Sequence, residues 1–194
     1  IEIVERALQK FGAPVYVFHE IVHNQFVVNE LKDKGAVFVN ALEDIPDASV
    51  AIFSAHGVSQ AVRRTAQAKR LQVVDATCPL VTKVHTQAQR YAKKGYALVM
   101  IGHAGHEEVE GTMGSVDIDV HLVSDVSDVA GLPFSAAQPL AYVTQTIALE
   151  MTTAAITGFL TGCENVNVIL PRLAQRPEVG HIKPPFCACA KTCH

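Results

Sequence analysis

The chain alternates short apolar runs with longer segments in which apolar residues recur every three to four positions. Short apolar runs bounded by glycine, proline or polar residues predict buried strands, and the wider spacing predicts helices that pack on one face. The strands are predicted at 14–18, 36–39, 50–53, 72–74, 97–101, 120–123 and 141–144. The helices are predicted at 1–11, 22–34, 59–69, 79–94 and 109–114.

Strands that alternate with helices predict an α/β fold of parallel sheets with helical crossovers. The pattern restarts after Cys78, so we expect repeated small parallel-sheet units. A first unit is expected at 1–78 and a second at 79–148. Residues 149–194 lose the alternation, and we expect them to be a divergent tail with the character of a frame-shifted segment.

Composition narrows the class of protein. Apolar residues make up 49% of the chain and charged residues 18%, which is typical of a soluble globular protein. No apolar run approaches the roughly 20 residues of a membrane span, so no membrane association is expected. A net charge of −3 with scattered basic residues argues against a nucleic-acid partner. Five cysteines, four of them at or after Cys163, form no disulfide framework and favour a reducing, cytoplasmic location.

Side chains that can bind or catalyse follow five of the predicted strands. In parallel α/β sheets the carboxyl ends of the strands lie at one edge, where ligands bind. We therefore expect one site at this edge. Its candidate members are His19, His23, His56, Cys78, His103, His106, Glu108, Gln145 and Thr146.

The candidate residues suit an anionic ligand and a soft metal. Several imidazoles and glycine-containing turns favour a phosphate group. A glutamate near threonine and glutamine side chains can deliver a proton. Cys78 precedes Pro79 at a predicted helix start, where the helix dipole favours the thiolate that attacks an electrophile or binds a soft metal. A small buried thiol is the alternative for Cys78.

A zinc site is a second hypothesis for the same segment. His103, His106 and Glu108 are closely spaced, and their side chains are common zinc ligands. The spacing is weakly specific, because the residues lie in a glycine-rich loop and not on one face of a helix. This alternative would make the chain a zinc-dependent hydrolase or a phosphate-binding α/β protein.

Five motifs closely resemble one enzyme family, 4-hydroxy-3-methylbut-2-enyl diphosphate reductase of non-mevalonate isoprenoid biosynthesis. They are HEIVHN at 19–24, SAHGVS at 54–59, DATCPLVTKVH at 75–85, GHAGHEEVEGTMG at 102–114 and TQT at 144–146. The resemblance covers about residues 1–146 and rests on long, specific motifs. It implies three similar α/β units around a [4Fe–4S] cluster, two of which this chain contains.

The resemblance also implies residue roles and partners. The implied reaction converts 4-hydroxy-3-methylbut-2-enyl diphosphate to isopentenyl and dimethylallyl diphosphate, with electrons from an external ferredoxin- or flavodoxin-like donor. Cys78 is implied as one of three cluster ligands. Glu108 is implied as the proton source with Thr146 in its relay. Substrate binding is implied for His23, His56, His106 and Gln145.

The chain departs from the family pattern at both ends. The family's first cysteine belongs to a segment with a strand upstream of residue 1, and its third to a segment after Thr146 that is not recognisable here. Ile147 replaces a threonine that is usual beside Thr146. The C-x-C-x3-C-H run of Cys187, Cys189 and Cys193 matches no usual cluster spacing. We therefore expect this chain to be inactive as it stands, and a non-catalytic remnant of the reductase is the alternative.

Overall fold

Two four-stranded, fully parallel sheets form the framework of the part of the chain that the structure describes. The structure is a computed structural model that describes residues 1–19, 24–134 and 138–146, together with the backbone of Val166–Val168. Helical crossovers connect the strands, so the predicted α/β class is confirmed.

The first sheet has the strand order β2-β1-β3-β4. Tyr16 of β1 lies between Val37 of β2 and Ala51 of β3, and Phe53 of β3 pairs with Asp75 of β4. All four strands run in the same direction, so their carboxyl ends share one edge. The strands are β1 Val15–Phe18, β2 Ala36–Val39, β3 Val50–Phe53 and β4 Gln72–Asp75.

The second sheet repeats the same order as β6-β5-β7-β8. Its central strands β5 and β7 are buried along their whole length, which explains why the sequence shows continuous apolar runs there. The short strand β8 pairs with β7 and lies within the segment expected to be a divergent tail. The strands are β5 Ala97–Ile101, β6 Val120–Val123, β7 Leu140–Thr144 and β8 Val166–Val168.

Five α-helices in the described residues cover or connect the sheets. They are α1 Glu2–Phe11, α2 Gln25–Asp33, α3 Gln60–Ala68, α4 Pro79–Lys93 and α5 Glu107–Met113. Short 3-10 helices at Leu42–Asp44 and Val126–Gly131 were not predicted. Within the described residues, no helix is both long and apolar enough to cross a membrane.

Two predicted helix starts are wrong by two or three residues. Helix α2 begins at Gln25 instead of residue 22, because Asn24 has an extended backbone and its side chain caps the helix. Helix α5 begins at Glu107 instead of residue 109, because His106 caps it through its ring nitrogen. Capping side chains decided both boundaries, and an apolar pattern does not reveal them.

Helix α5 brings the two sheets into contact. A Cβ added at Gly111 would lie 2.9 Å from the backbone oxygen of Gly57, and one at Gly114 would lie 2.4 Å from Cβ of Ser59. The N–H of Gln60, at the start of α3, donates to the carbonyl of Gly114 over 2.8 Å. Glycine therefore allows this helix to pack directly against the loop after β3 of the first sheet.

Candidate active site

The carboxyl ends of the two sheets meet along a common edge, which we call the rim. The rim comprises His19, the 54–58 loop, Cys78, the 102–108 loop and the Gln145-Thr146 pair. A hydrogen bond crosses the rim between the two sheets, since Nδ1 of His56 lies 2.7 Å from Oε2 of Glu107. Strand ends that are far apart in sequence are thus assembled in space.

Glu108 and Thr146 form a buried hydrogen-bonded pair. Glu108 is only 1% exposed, and its Oε1 accepts from the backbone N–H of Thr146 at 2.6 Å. Its Oε2 accepts from the Thr146 hydroxyl at 2.8 Å. Burial of a carboxylate is costly without such partners. The pair joins the start of α5 to the end of β7, and its hydroxyl offers a route for a proton.

His106 is fixed by its capping role. Its Nδ1 accepts from the backbone N–H of Glu108 over 3.1 Å. That bond leaves the proton of the neutral ring on Nε2, which can donate to an anion. The rings of His56 and His106 lie edge to face with centroids 5.3 Å apart. Two imidazoles are therefore adjacent at the centre of the rim.

Glu107 lies between two histidines that follow strands of the first sheet. Its Oε2 is 2.7 Å from Nδ1 of His56, and its Oε1 is 3.4 Å from Nδ1 of His19. All three side chains are partly exposed. His19 has φ 65°, a left-handed conformation that a non-glycine residue adopts at some cost. The sequence analysis named His19 as a candidate member of the site, and it did not name Glu107.

Cys78 occupies the predicted position at the start of α4. It is the N-cap residue with a non-helical backbone of φ −55° and ψ 134°, Pro79 follows at the first helical position, and the thiol makes no capping hydrogen bond. Its backbone N–H donates to the carbonyl of Ala55 over 2.9 Å, which links it to the loop that carries His56. The side chain is partly exposed and not in a disulfide. A ligand at the rim can therefore reach this thiol.

Gln145 is a buried residue that holds the 102–108 loop of the rim. It is 4% exposed, and its Oε1 accepts from the backbone N–H of His103 over 3.1 Å. A Cβ at Gly102 would lie 2.9 Å from that same oxygen. The amide of Gln145 thus holds the 102–108 loop, and glycine at 102 gives it room.

His85 lies buried on α4 behind the rim. It is 8% exposed, its Nε2 has no hydrogen-bond partner, and its Cε1 would be 2.9 Å from a Cβ at Gly57. Burial, and then the nearby charge of Arg63, lowers the pKa of His85 from 6.5 to about 4. The ring is therefore neutral near pH 7 and acts as packing beneath the turn that carries His56.

The zinc hypothesis finds no support in the geometry. Both oxygens of Glu108 are directed to Thr146, and Nδ1 of His106 is occupied as a helix cap. Among the described residues, no group of three or more His, Cys, Asp and Glu side chains is arranged to hold a metal ion. His103 is exposed, and its backbone carbonyl accepts from the N–H of His106 over 3.2 Å.

The structure describes most but not all of the predicted site. His56, His106, Cys78, Glu108, Gln145 and Thr146 lie along the rim. His23 falls outside the described residues, as do Ile147 and the later cysteines Cys163, Cys187, Cys189 and Cys193. The sequence signal that could have pointed to Glu107 is its place directly after His106 in a loop that follows a strand.

Comparison with known proteins decides the family. A family model described as LytB protein matches residues 1–169. The chain belongs to the LytB protein family. The resemblance found in the motifs is thereby confirmed, and the alternative of an unrelated zinc enzyme is not favoured.

Curated relatives of this LytB chain carry the name expected from its motifs. The 4-hydroxy-3-methylbut-2-enyl diphosphate reductase of Polaromonas sp. (strain JS666 / ATCC BAA-500) is 60% identical over 146 residues, which cover 75% of this chain and 44% of that protein. The protein of the same name from Azoarcus sp. (strain BH72) is 62% identical over 146 residues, covering 75% of this chain and 47% of that protein. The chain thus spans less than half the length of these relatives.

Solved structures of LytB-type reductases share the fold. The E-1-hydroxy-2-methyl-but-2-enyl-4-diphosphate reductase from Plasmodium falciparum matches with a TM-score of 0.82 and 41% identity, over 87% of this chain and 53% of that one. A structure titled (E)-4-hydroxy-3-methyl-but-2-enyl diphosphate reductase matches with a TM-score of 0.76 and 28% identity, over 87% of this chain and 60% of that one.

Proposed function

We propose that the rim binds the diphosphate of 4-hydroxy-3-methylbut-2-enyl diphosphate and belongs to a reductase of non-mevalonate isoprenoid biosynthesis. The overall reaction takes up two electrons and two protons, breaks the carbon–oxygen bond, and releases the hydroxyl as water. Isopentenyl and dimethylallyl diphosphate are the products. The observation that carries the proposal is the buried Glu108–Thr146 pair directly beside the paired rings of His56 and His106.

Each member of the rim has a proposed role that suits its contacts. The N–H at Nε2 of His106 donates to a phosphate oxygen, and His56 contacts the same diphosphate through Nε2. In the resting geometry the Thr146 hydroxyl donates to Glu108. For proton delivery, protonated Glu108 donates to the Thr146 oxygen while the Thr146 O–H turns and gives its own proton to the leaving hydroxyl, which leaves Glu108 as the carboxylate. Gln145 keeps the loop of His106 in place through its hydrogen bond to His103. We assign His23 to the diphosphate as well, on the motif alone.

An iron–sulfur cluster is the cofactor that the family resemblance implies. The partly exposed thiol of Cys78 suits one ligand position, because thiolates bind such clusters and this thiol makes no capping hydrogen bond. The described residues contain no second cysteine and do not complete a three-cysteine site. The chemistry that they supply by themselves is diphosphate binding and proton transfer.

The reduction needs a source of electrons and a location that keeps the thiol reduced. We propose that the two electrons come from an external ferredoxin- or flavodoxin-like donor. We also propose that the protein works in the cytoplasm, where a reducing environment keeps Cys78 as a free thiol.

Titration calorimetry of the purified chain with 4-hydroxy-3-methylbut-2-enyl diphosphate and with inorganic diphosphate tests the site. His106→Asn keeps a good helix cap but removes the Nε2 donor, so we expect binding to weaken by about tenfold, or about 1.4 kcal/mol. His121→Asn, on strand β6 and outside the rim, is the matched control and should bind like the unmodified chain. Absence of binding to the unmodified chain would overturn the proposal.

Anaerobic reconstitution with iron and sulfide separates binding from turnover. Because the described residues offer one thiol, we expect the chain alone to form no stable visible absorption band of a [4Fe–4S] cluster and to show no reductase activity. A stable cluster with turnover would show a competent reductase and contradict its being a non-catalytic remnant. Stoichiometric zinc in the purified protein would instead favour the zinc alternative.

A further inference from the structure

The carboxylate of Glu107, on helix α5, contacts two histidines that follow strands of the first sheet. Its Oε2 lies 2.7 Å from Nδ1 of His56, and its Oε1 lies 3.4 Å from Nδ1 of His19. His56 follows β3 and His19 follows β1, whereas Glu107 is the first residue of α5. No other described contact brings these two histidines to one group.

We infer that Glu107 is a positioning residue that holds Nδ1 of His56, so that this ring meets an anionic ligand through Nε2. The inference rests on the proposed function, since it concerns the same diphosphate site. An imidazole Nδ1–H donates to the carboxylate, and this bond selects one tautomer and one ring orientation. Only Nε2 then remains for a ligand.

Exposure and packing agree with that role. His19 and His56 are each 25% exposed at their side chains and Glu107 is 33% exposed. Both rings are therefore open to a ligand, while Nδ1 of His56 is hydrogen-bonded to Glu107. His106, whose ring lies against that of His56, also has its Nδ1 occupied. Nε2 of His56 and Nε2 of His106 are therefore both left for the ligand. Glu107 holds the first ring, and the backbone N–H of Glu108 holds the second.

The left-handed backbone of His19 also supports a positioning role for Glu107. A φ of 65° costs free energy in a non-glycine residue, and such strain persists only where surrounding contacts maintain it. The ring of His19 packs on Phe18 with centroids 3.9 Å apart and reaches Glu107 from there. The carboxylate of Glu107 thus contacts side chains at the ends of both β1 and β3.

Two variants of Glu107 separate positioning from charge. Glu107→Gln keeps an oxygen that accepts from Nδ1–H, whereas Glu107→Ala removes the acceptor. Nitrogen-15 NMR of the imidazole rings should show Nδ1 of His56 protonated in the unmodified chain and in Glu107→Gln, but a mixture of tautomers in Glu107→Ala. The signals of His56 are assigned by their loss in His56→Asn.

Affinity for inorganic diphosphate, measured by calorimetry, is the second readout. We expect Glu107→Ala to weaken binding about fivefold to tenfold and Glu107→Gln to stay within about twofold, on the scale of one lost hydrogen bond. Glu110→Ala, an exposed glutamate on the same helix, controls for the lost charge and should bind like the unmodified chain.

The outcomes are distinguishable. Tighter binding in both Glu107 variants would mean that the carboxylate competes with the ligand, and would overturn the inference. Normal binding and an unchanged His56 ring in Glu107→Ala would overturn it as well, while leaving the proposed function intact. Failure of the unmodified chain to bind diphosphate would overturn both.

Discussion

Glu108 is the most deeply buried acidic side chain at the rim, and Thr146 supplies the hydrogen bonds that make its burial tolerable. A buried acceptor that loses its partner keeps the full desolvation cost, whereas an exposed one returns to water. The pair is therefore expected to matter for stability as well as for proton transfer.

Replacing Thr146 tests that expectation through stability. Thr146→Val removes the hydroxyl that Oε2 of Glu108 accepts from, and we expect the free energy of unfolding to fall by about 1–3 kcal/mol. Thr146→Ser keeps the hydroxyl and should lose less than about 1 kcal/mol. Urea unfolding followed by circular dichroism measures both. Equal losses in the two variants would show that the methyl group, and not the hydroxyl, is responsible.

His85 predicts a pH dependence of stability. Its pKa is about 4 in the folded chain and 6.5 in the unfolded chain, so between these values only the unfolded chain takes up the proton. Unfolding is therefore favoured as the pH falls, and from pH 7 to 4.5 we expect a loss of about 2–3 kcal/mol from this ring.

A variant series isolates the contribution of His85. His85→Gln cannot take up the proton, so its free energy of unfolding should fall less between pH 7 and 4.5 than that of the unmodified chain. His103→Gln, at an exposed position, should keep the original slope. An unchanged slope in His85→Gln would assign the pH dependence to other groups.

At the level of elements, helix α5 depends on glycine where it meets the 54–58 loop. Alanine normally stabilises a helix interior over glycine by about 1 kcal/mol. At Gly111, however, the added Cβ would press on the backbone oxygen of Gly57 at 2.9 Å, and backbone cannot move aside as a flexible side chain can. Steric cost and helix propensity therefore act in opposite directions here.

Gly111→Ala shows which effect prevails. We expect a net destabilisation of about 1–3 kcal/mol, because overpacking outweighs the propensity gain. Gly131→Ala is the matched control, since a Cβ there meets nothing within 4 Å, and it should change stability by less than about 0.5 kcal/mol. Thermal and urea unfolding measure both variants. A more stable Gly111→Ala chain would mean that α5 can shift away from the loop without cost.

Strand prediction succeeded because both sheets bury their central strands. The apolar runs at β5 and β7 are buried at all five positions, and such runs are bounded by polar residues or glycine. The 3-10 helices and β8 were missed for the opposite reason. They are short, and β8 exists through its pairing with β7, which a local pattern of three residues does not reveal.

At the level of the whole molecule, the two sheets are expected to unfold together. Helix α4 begins at the end of the first sheet and packs on β5 and β7 of the second, while α3 begins with a hydrogen bond to the end of α5. Native-state hydrogen exchange should therefore give free energies for the amides of β1 and β5 that agree within about 1 kcal/mol. Independent units would instead show two clearly different values.

The 3-10 helices and β8 were missed, but local sequence patterns were enough to predict the other seven strands, the five α-helices, their parallel arrangement and the residues at the strand ends. These features depend on local patterns, namely apolar periodicity, helix starts and the motifs around Cys78, His56 and Glu108. Tertiary structure alone decided the partners: Glu108 with Thr146, 38 positions apart, and Glu107 with His56, 51 positions apart. It also decided the burial of His85. Contacts and desolvation between distant segments arise only when the sheets pack, so no local pattern could have specified them.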